Sequence, residues 1–235
     1  SVYVYDANDL TAQPTKLTAF DSSASDEFGI SVSATADKIV VGAYQDDDNG
    51  NNSGSVYVYD ANDLTAQPTK LTPFDGAGGD RFGESVFATV DKIVVGAWRD
   101  DDNGNDSGSV YVYDLSDLSA QPTKLTAFDG AANHRFGYSV AATVDKIIVG
   151  AEQDDDNGSY SGSVYVYDAT DLSAQPTKLT AFDGAEDDHF GYSLDAVSNT
   201  LFVGSFYDDG QGSSYIYDLD DLSAQPTKLT AFDGA

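Results

Sequence analysis

The residues best equipped for chemistry are three runs of adjacent carboxylates, Asp46-Asp47-Asp48-Asn49-Gly50, Asp100-Asp101-Asp102-Asn103-Gly104 and Asp154-Asp155-Asp156-Asn157-Gly158. A shortened fourth run keeps Asp208-Asp209-Gly210. Hard divalent cations gather roughly six to eight carboxylate, carbonyl and water oxygens, so calcium is the cofactor these loops suggest. Their spacing is not that of a loop in which ligands alternate and a distal glutamate closes the shell. Gln45, Arg99 and Gln153 stand where such a loop would place its first ligand. The competing reading is a solvated turn whose Asp and Asn side chains cap backbone amides. A second acidic set precedes each Phe-Gly pair: Asp21, Asp75, Asp129 and Asp183, then Asp26, Asp80 and Asp188, with His134 in the corresponding place of the third copy. These are expected to shape turns between structural units.

Catalytic groups are scarce. Cysteine is absent, and His134 and His189 are the only histidines. G-x-S-x-G, H-E-x-x-H and phosphate-binding glycine loops do not occur. Carboxylates are numerous enough to pair by accident for glycosidic acid–base work. An active site usually breaks the symmetry of its scaffold, though, and these loops are nearly identical. The expectation is a non-enzyme with no catalytic residue. Asn51, Asn105 and Asn157 each open an N-x-S sequence, a glycosylation acceptor in a secreted eukaryotic protein. Trp98 is the only tryptophan. Tyr44, Glu152 and Phe206 take its place in the other copies, so this position varies on a fixed framework and is a candidate ligand contact.

The elements that position these groups come from an internal repeat. The string SVYVYD begins at Ser1, Ser55, Ser109 and Ser163, each 54 residues after the last, with an altered copy from Ser214. Four strand-like segments recur. A is FG-x-S-V-x-A, as in Phe136–Ala141, with apolar alternation. B is D-K-I-V-V-G-A, as in Asp91–Ala97, whose continuous β-branched run suits a strand covered on both faces. C is S-V-Y-V-Y-D, as in Ser109–Asp114, with valines on one face and tyrosines on the other. D is T-K-L-T-A-F, as in Thr123–Phe128, anchored by Leu125 and Phe128. The tyrosines suit packing between units better than sugar stacking. DLSAQP, between C and D, has room for one helical turn before its proline.

Four short antiparallel strands per period predict an all-β fold, a β-propeller of four-stranded blades, with four full blades plus a half-blade. The half-blade covers 1–20 and the blades 27–74, 81–128, 135–182 and 189–232. A β-solenoid is the alternative for such a period. Because a closed ring needs whole blades, the half-blade suggests a longer parent, or self-assembly in which a neighbour supplies the missing strands.

The patterns FG-x-S-V, D-K-I-V-V-G-A and D-D-D-N-G-x-x-S-G-S-V-Y-V-Y resemble the FG-GAP repeat of integrin α-chain β-propellers, and more closely its bacterial and algal variants. The resemblance spans essentially the whole chain. It implies a propeller, usually of seven blades, with A innermost and D outermost, and extracellular adhesion or ligand binding, often with calcium. One departure matters. The family's calcium loop joins A to B, but here that connection is only Ala34–Asp37, Ala88–Asp91 or Ala142–Asp145. The family's calcium site therefore does not carry over.

Charge narrows the partners. Forty acidic residues against 11 basic ones give a formal net charge of −29 over 235 residues. That argues against nucleic acid and anionic membranes. No apolar run approaches the roughly 18 residues of a membrane span, so insertion is not expected. With 12% aromatic residues, the chain does not have the composition of a disordered one. The reading is a secreted or cell-surface adhesive module for protein or glycan ligands. The alternative is a catalytic or non-catalytic propeller domain of a secreted hydrolase.

Overall fold

A computed structural model describes residues 1–231, and the position given above as the end of the last blade, 232, lies outside them. The chain opens with a two-stranded antiparallel sheet, β1 (Val2–Val4) and β2 (Thr15–Leu17). Blade 1 follows as β3 (Val32–Ala34), β4 (Lys38–Ala43), β5 (Ser55–Asp60) and β6 (Thr69–Leu71). Blade 2 is β7 (Ser85–Ala88), β8 (Lys92–Ala97), β9 (Ser109–Asp114) and β10 (Thr123–Leu125). Blade 3 is β11 (Phe136–Ala142), β12 (Lys146–Ala151), β13 (Ser163–Asp168) and β14 (Thr177–Leu179). Blade 4 is β15 (Phe190–Val197), β16 (Thr200–Ser205), β17 (Ser213–Asp218) and β18 (Thr227–Thr230). In each blade the strands pair antiparallel with their sequence neighbours. The first strands of successive blades touch one another, so they form the inner edge of a β-propeller of four full blades plus a half-blade.

The alternation in segment C sets the packing. Val56 and Val58 of blade 1 face blade 2, where they meet Phe82, Ile93, Val95, Tyr111 and Tyr113. Tyr57 and Tyr59, on the other face, meet Leu17 and Ala19 of the half-blade. Each seam thus joins the valine face of one blade to the tyrosine face of the next. Adjacent residues of segment B serve opposite seams, as predicted: Val40 belongs to one cluster and Val41 to the other, and both are fully buried. Within the tyrosine face, the Phe82 ring meets Tyr111 edge-on at a centroid distance of 5.4 Å.

The Phe-Gly and Val-Gly-Ala motifs set the distance between blades. A Cβ on Gly42 would lie 1.9 Å from the Gly83 carbonyl oxygen of the next blade, so no larger residue fits there. Ser31 Oγ donates to that same oxygen at 2.7 Å, and Ser85 and Ser139 repeat the bond at the next two seams.

Three expectations need adjustment. Segment D pairs over only three residues in blades 1 to 3. Leu125 is buried, whereas Phe128 lies beyond the strand, half exposed, with its ring edge-on to Tyr165 of the next blade. The DLSAQP stretch forms no helical turn, because its first residue makes a tight local turn instead: in the equivalent first-blade stretch, Asp63 Oδ1 accepts from the Thr65 amide at 3.1 Å. Strand A starts only after the Phe-Gly pair in blades 1 and 2, at Val32 and Ser85, whereas in blades 3 and 4 the pair enters it through an irregularity in register, the glycines having φ of 89°.

Candidate functional site

Every seam carries the same polar cluster. At the first, the buried Tyr57 hydroxyl donates to Asp21 Oδ1 at 2.7 Å and lies 3.0 Å from Asp46 Oδ2. Lys70, on β6, crosses the face of the Tyr57 ring at 5.3 Å. Its ammonium reaches Asp21 Oδ2 at 2.8 Å, Asp46 Oδ2 at 3.1 Å and Asp48 Oδ2 at 2.6 Å. Asp21 comes from the half-blade and the rest from blade 1, so the cluster ties neighbours together. The next seams repeat it with Asp75, Asp100, Asp102, Tyr111 and Lys124, then with Asp129, Asp154, Asp156, Tyr165 and Lys178. At the fourth, Lys228 joins Asp183, Asp208 and Asp209 beside Tyr215.

The electrostatics follow from burial among opposite charges. Burial works against the Lys70 ammonium, but Asp21, Asp48 and Asp46 outweigh it and hold its pKa above the ordinary value. Burial, then the bond to Asp21, pushes the Tyr57 phenol far up, so it remains a proton donor. Burial also pushes Tyr59 up to about 12, and its hydroxyl donates to the Thr18 carbonyl at 2.9 Å. The tyrosines of segment C thus pack and tie seams, except Tyr3 and Tyr5 of the half-blade, which are exposed.

The three adjacent aspartates divide their work. The first, Asp46, is buried and accepts from Ser55 Oγ at 2.9 Å. The second caps its own loop: Asp47, Asp101 and Asp155 each accept, at 2.8 Å, from the amide five residues on. The third reaches the lysine. Of the three suggested calcium ligands in a loop, the first and third thus converge on the lysine while the middle one serves its own loop. Asp21, Asp46 and Asp48 do bring carboxylate oxygens within 4.8 Å of one another, as do Asp129, Asp154 and Asp156. Those oxygens surround an ammonium at hydrogen-bond distance, and a metal ion entering there has to displace it. Lys70 and its counterparts were absent from the site read in the sequence. The available signal was one lysine at a fixed place in T-K-L of every repeat of a strongly acidic chain.

The same loops dock on the following blade. The Arg81 and Phe82 amides donate to the Asn52 and Ser53 carbonyls at 3.1 and 3.0 Å. Asp26, Asp80 and Asp188 turn the chain between blades by accepting from the Ser23, Ala77 and Ala185 amides at 2.5–2.6 Å. His134 takes that place at the third seam, where its Nδ1 lies 3.4 Å from Asp154 Oδ2. Asn51 and Asn105 are exposed at loop tips. Asn157 is exposed too, but its amide donates to the Ala181 carbonyl of blade 3 at 3.2 Å, so a glycan there would cost a structural bond.

Trp98 is only 6% exposed and is no open platform. Its indole N–H donates to Glu84 Oε2 at 2.6 Å, and Arg81, Arg99 and Arg135 lie 5.2, 5.1 and 4.6 Å from its ring.

A family model described as FG-GAP repeat matches residues 11–59, 65–113, 120–167 and 174–217. Each match runs from the turn before D of one blade through C of the next, so the family's unit straddles a seam. No curated protein matches the chain. The family matches cover most of the sequence, and the motifs they contain are those that set blade spacing and tie the seams: the chain belongs to the FG-GAP repeat family.

Proposed function

We propose that this chain is an extracellular structural or adhesive module: a rigid row of blades that carries interaction surfaces for protein or glycan partners and turns over no substrate. One observation carries the reading. The groups most suited to chemistry, the buried aspartates with their lysine and tyrosine, recur with the same partners at four seams, and all of them are used in holding blades together. Repeats of this family are typical of extracellular proteins, and among the described residues no helix is long and apolar enough to cross a membrane. Incubation with chromogenic glycosides and phosphoesters is expected to give no turnover. Hydrolysis abolished by substitution of one carboxylate pair would support a hydrolase domain instead.

The lysine ammonium is proposed as the counter-charge of each acidic seam, in the role a calcium ion would otherwise take. Supporting this are its distances of 2.6–3.1 Å to three carboxylates at the first seam. Thermal melting in excess chelator should then match melting in millimolar calcium. A fall with chelator that calcium reverses would return calcium to these loops.

A further inference from the structure

Positions that differ from repeat to repeat meet at one end of the blades, across the seams. Arg81 lies over Tyr44 of the preceding blade at 5.1 Å and over Trp98 of its own at 5.2 Å. Arg135 repeats the step one blade on, 4.6 Å from Trp98, with Nη1 2.9 Å from Glu152 Oε1. His189 completes the series: its Nδ1 bonds the buried Glu152, and its ring lies 4.9 Å from Phe206. The band ends in open aromatic surface. Tyr192 packs on Phe206 at 4.5 Å, and His189 stacks on Tyr160 at 5.9 Å with planes 10° apart. Tyr192, Phe206 and Tyr160 are 39, 50 and 41% exposed. Exposed rings beside a line of paired polar side chains need no such arrangement for blade packing, which the seams already supply.

Charge selects the ligand. All three arginines of the chain lie in this band, whereas the molecule as a whole carries a net charge of −29. Each has a carboxylate partner: Arg81 with Glu84 at 3.4 Å, Arg99 with Asp106 at 3.1 Å, Arg135 with Glu152 at 2.9 Å. An anion finds no uncompensated positive charge here and meets repulsion on approach. A cation finds the carboxylates here already paired with arginine. A neutral polyhydroxylated ring suits both features: its C–H face stacks on an aromatic ring, and its hydroxyls accept from guanidinium and pair with imidazole.

We infer that this shelf on blades 3 and 4 binds a neutral pyranose of a glycan, with Tyr192 and Phe206 as the stacking surface and Arg135 and His189 as hydroxyl partners. The inference rests on the binding-module reading and names the ligand class of one surface.

Affinity electrophoresis through gels containing galactomannan, xyloglucan or laminarin, with polygalacturonate and dextran sulfate as acidic counterparts, tests it. At least one neutral polysaccharide should retard the protein. Phe206→Ala and Tyr192→Ala should each weaken that retardation at least tenfold with unchanged melting. Tyr5→Ala, which removes a similarly exposed ring from the half-blade, should leave it intact. Retardation by acidic polysaccharides alone, by none of the five, or by a neutral one to which Phe206→Ala and Tyr192→Ala are indifferent overturns the inference and leaves the module reading standing. New reducing ends in the neutral polysaccharide would instead overturn the non-catalytic reading.

Discussion

In the four full blades, each lysine of segment D carries more of the fold than its surface-strand position suggests. Lys124 is 12% exposed and holds together Asp75, Asp100 and Asp102, of which Asp100 is itself 5% exposed. Removing one partner from a buried ion group leaves the others charged in a poorly solvated place. Lys124→Met should therefore lower stability by about 2–4 kcal/mol, a value tempered by the exposure of Asp102. Lys38→Met provides the contrast. Lys38 meets only Asp60, at 3.5 Å, and both side chains are substantially exposed. Its loss should cost less than about 1 kcal/mol. Urea unfolding of the two variants separates a seam tie from a surface pair, and equal losses would refute the assigned role of Lys124. Calcium should recover part of the stability lost in Lys178→Met, because Asp129, Asp154 and Asp156, with oxygens within 4.8 Å of one another, are then a cluster of carboxylates without a cation.

At the scale of elements, the seams are held at a distance only glycine allows. A Cβ on Gly96 would come within 2.0 Å of the Gly137 carbonyl oxygen of the next blade. Gly204 is its counterpart in blade 4, where a Cβ meets Ser193 Oγ at 2.2 Å and no backbone atom nearer than 3.6 Å. A hydroxyl can rotate away and a backbone carbonyl cannot. Gly96→Ala should thus cost about 2–3 kcal/mol or more, and Gly204→Ala about 1 kcal/mol or less, read as denaturation midpoints. The strands themselves were legible in the sequence. A β-branched run such as Ile93–Val95 has one natural state, and the Val/Tyr alternation of Ser109–Asp114 already assigns residues to two faces. Less legible was what joins blade to blade. Asp46, Asp47 and Asp48 are adjacent and chemically identical, yet one is buried on Tyr57, one caps a loop and one meets Lys70. That division depends on strand register and on Asp21, 25 residues before Asp46 and in the turn that follows the half-blade. Phe128 misled for a related reason: an apolar residue beside a strand is not an anchor once the chain has turned out of the sheet.

For the whole molecule, the seam groups predict a pH optimum of stability below neutrality. Burial pushes Asp80 up to about 6 against an ordinary 3.8, and nearby Asp100 adds to it. A folded-state value above the unfolded one means stability fully present below the unfolded pKa and lost as pH rises through the folded one. Asp80 therefore favours the fold at pH 4 over pH 7. His134, raised by its contact with Asp154 above an ordinary 6.5, acts in the same direction at higher pH. Opposing them are Asp75 and Asp154. Burial works to raise both, but Lys124 and Tyr111 hold Asp75 low, and His134 and Lys178 hold Asp154 low. Their contribution is present above the ordinary carboxylate range and lost as pH falls below it. The self-repulsion of a chain with 40 acidic residues also weakens on acidification. Urea midpoints at constant ionic strength should thus peak between about pH 4 and 6, falling steeply on the acid side and gently toward pH 8. Asp80→Asn keeps an acceptor for the Ala77 amide and removes the buried charge. It should raise stability at pH 7 by about 1–2 kcal/mol and change little at pH 4. A midpoint that climbs steadily to pH 8, unaltered by Asp80→Asn, would mean that solvent reaches this seam and that its carboxylates titrate as surface groups.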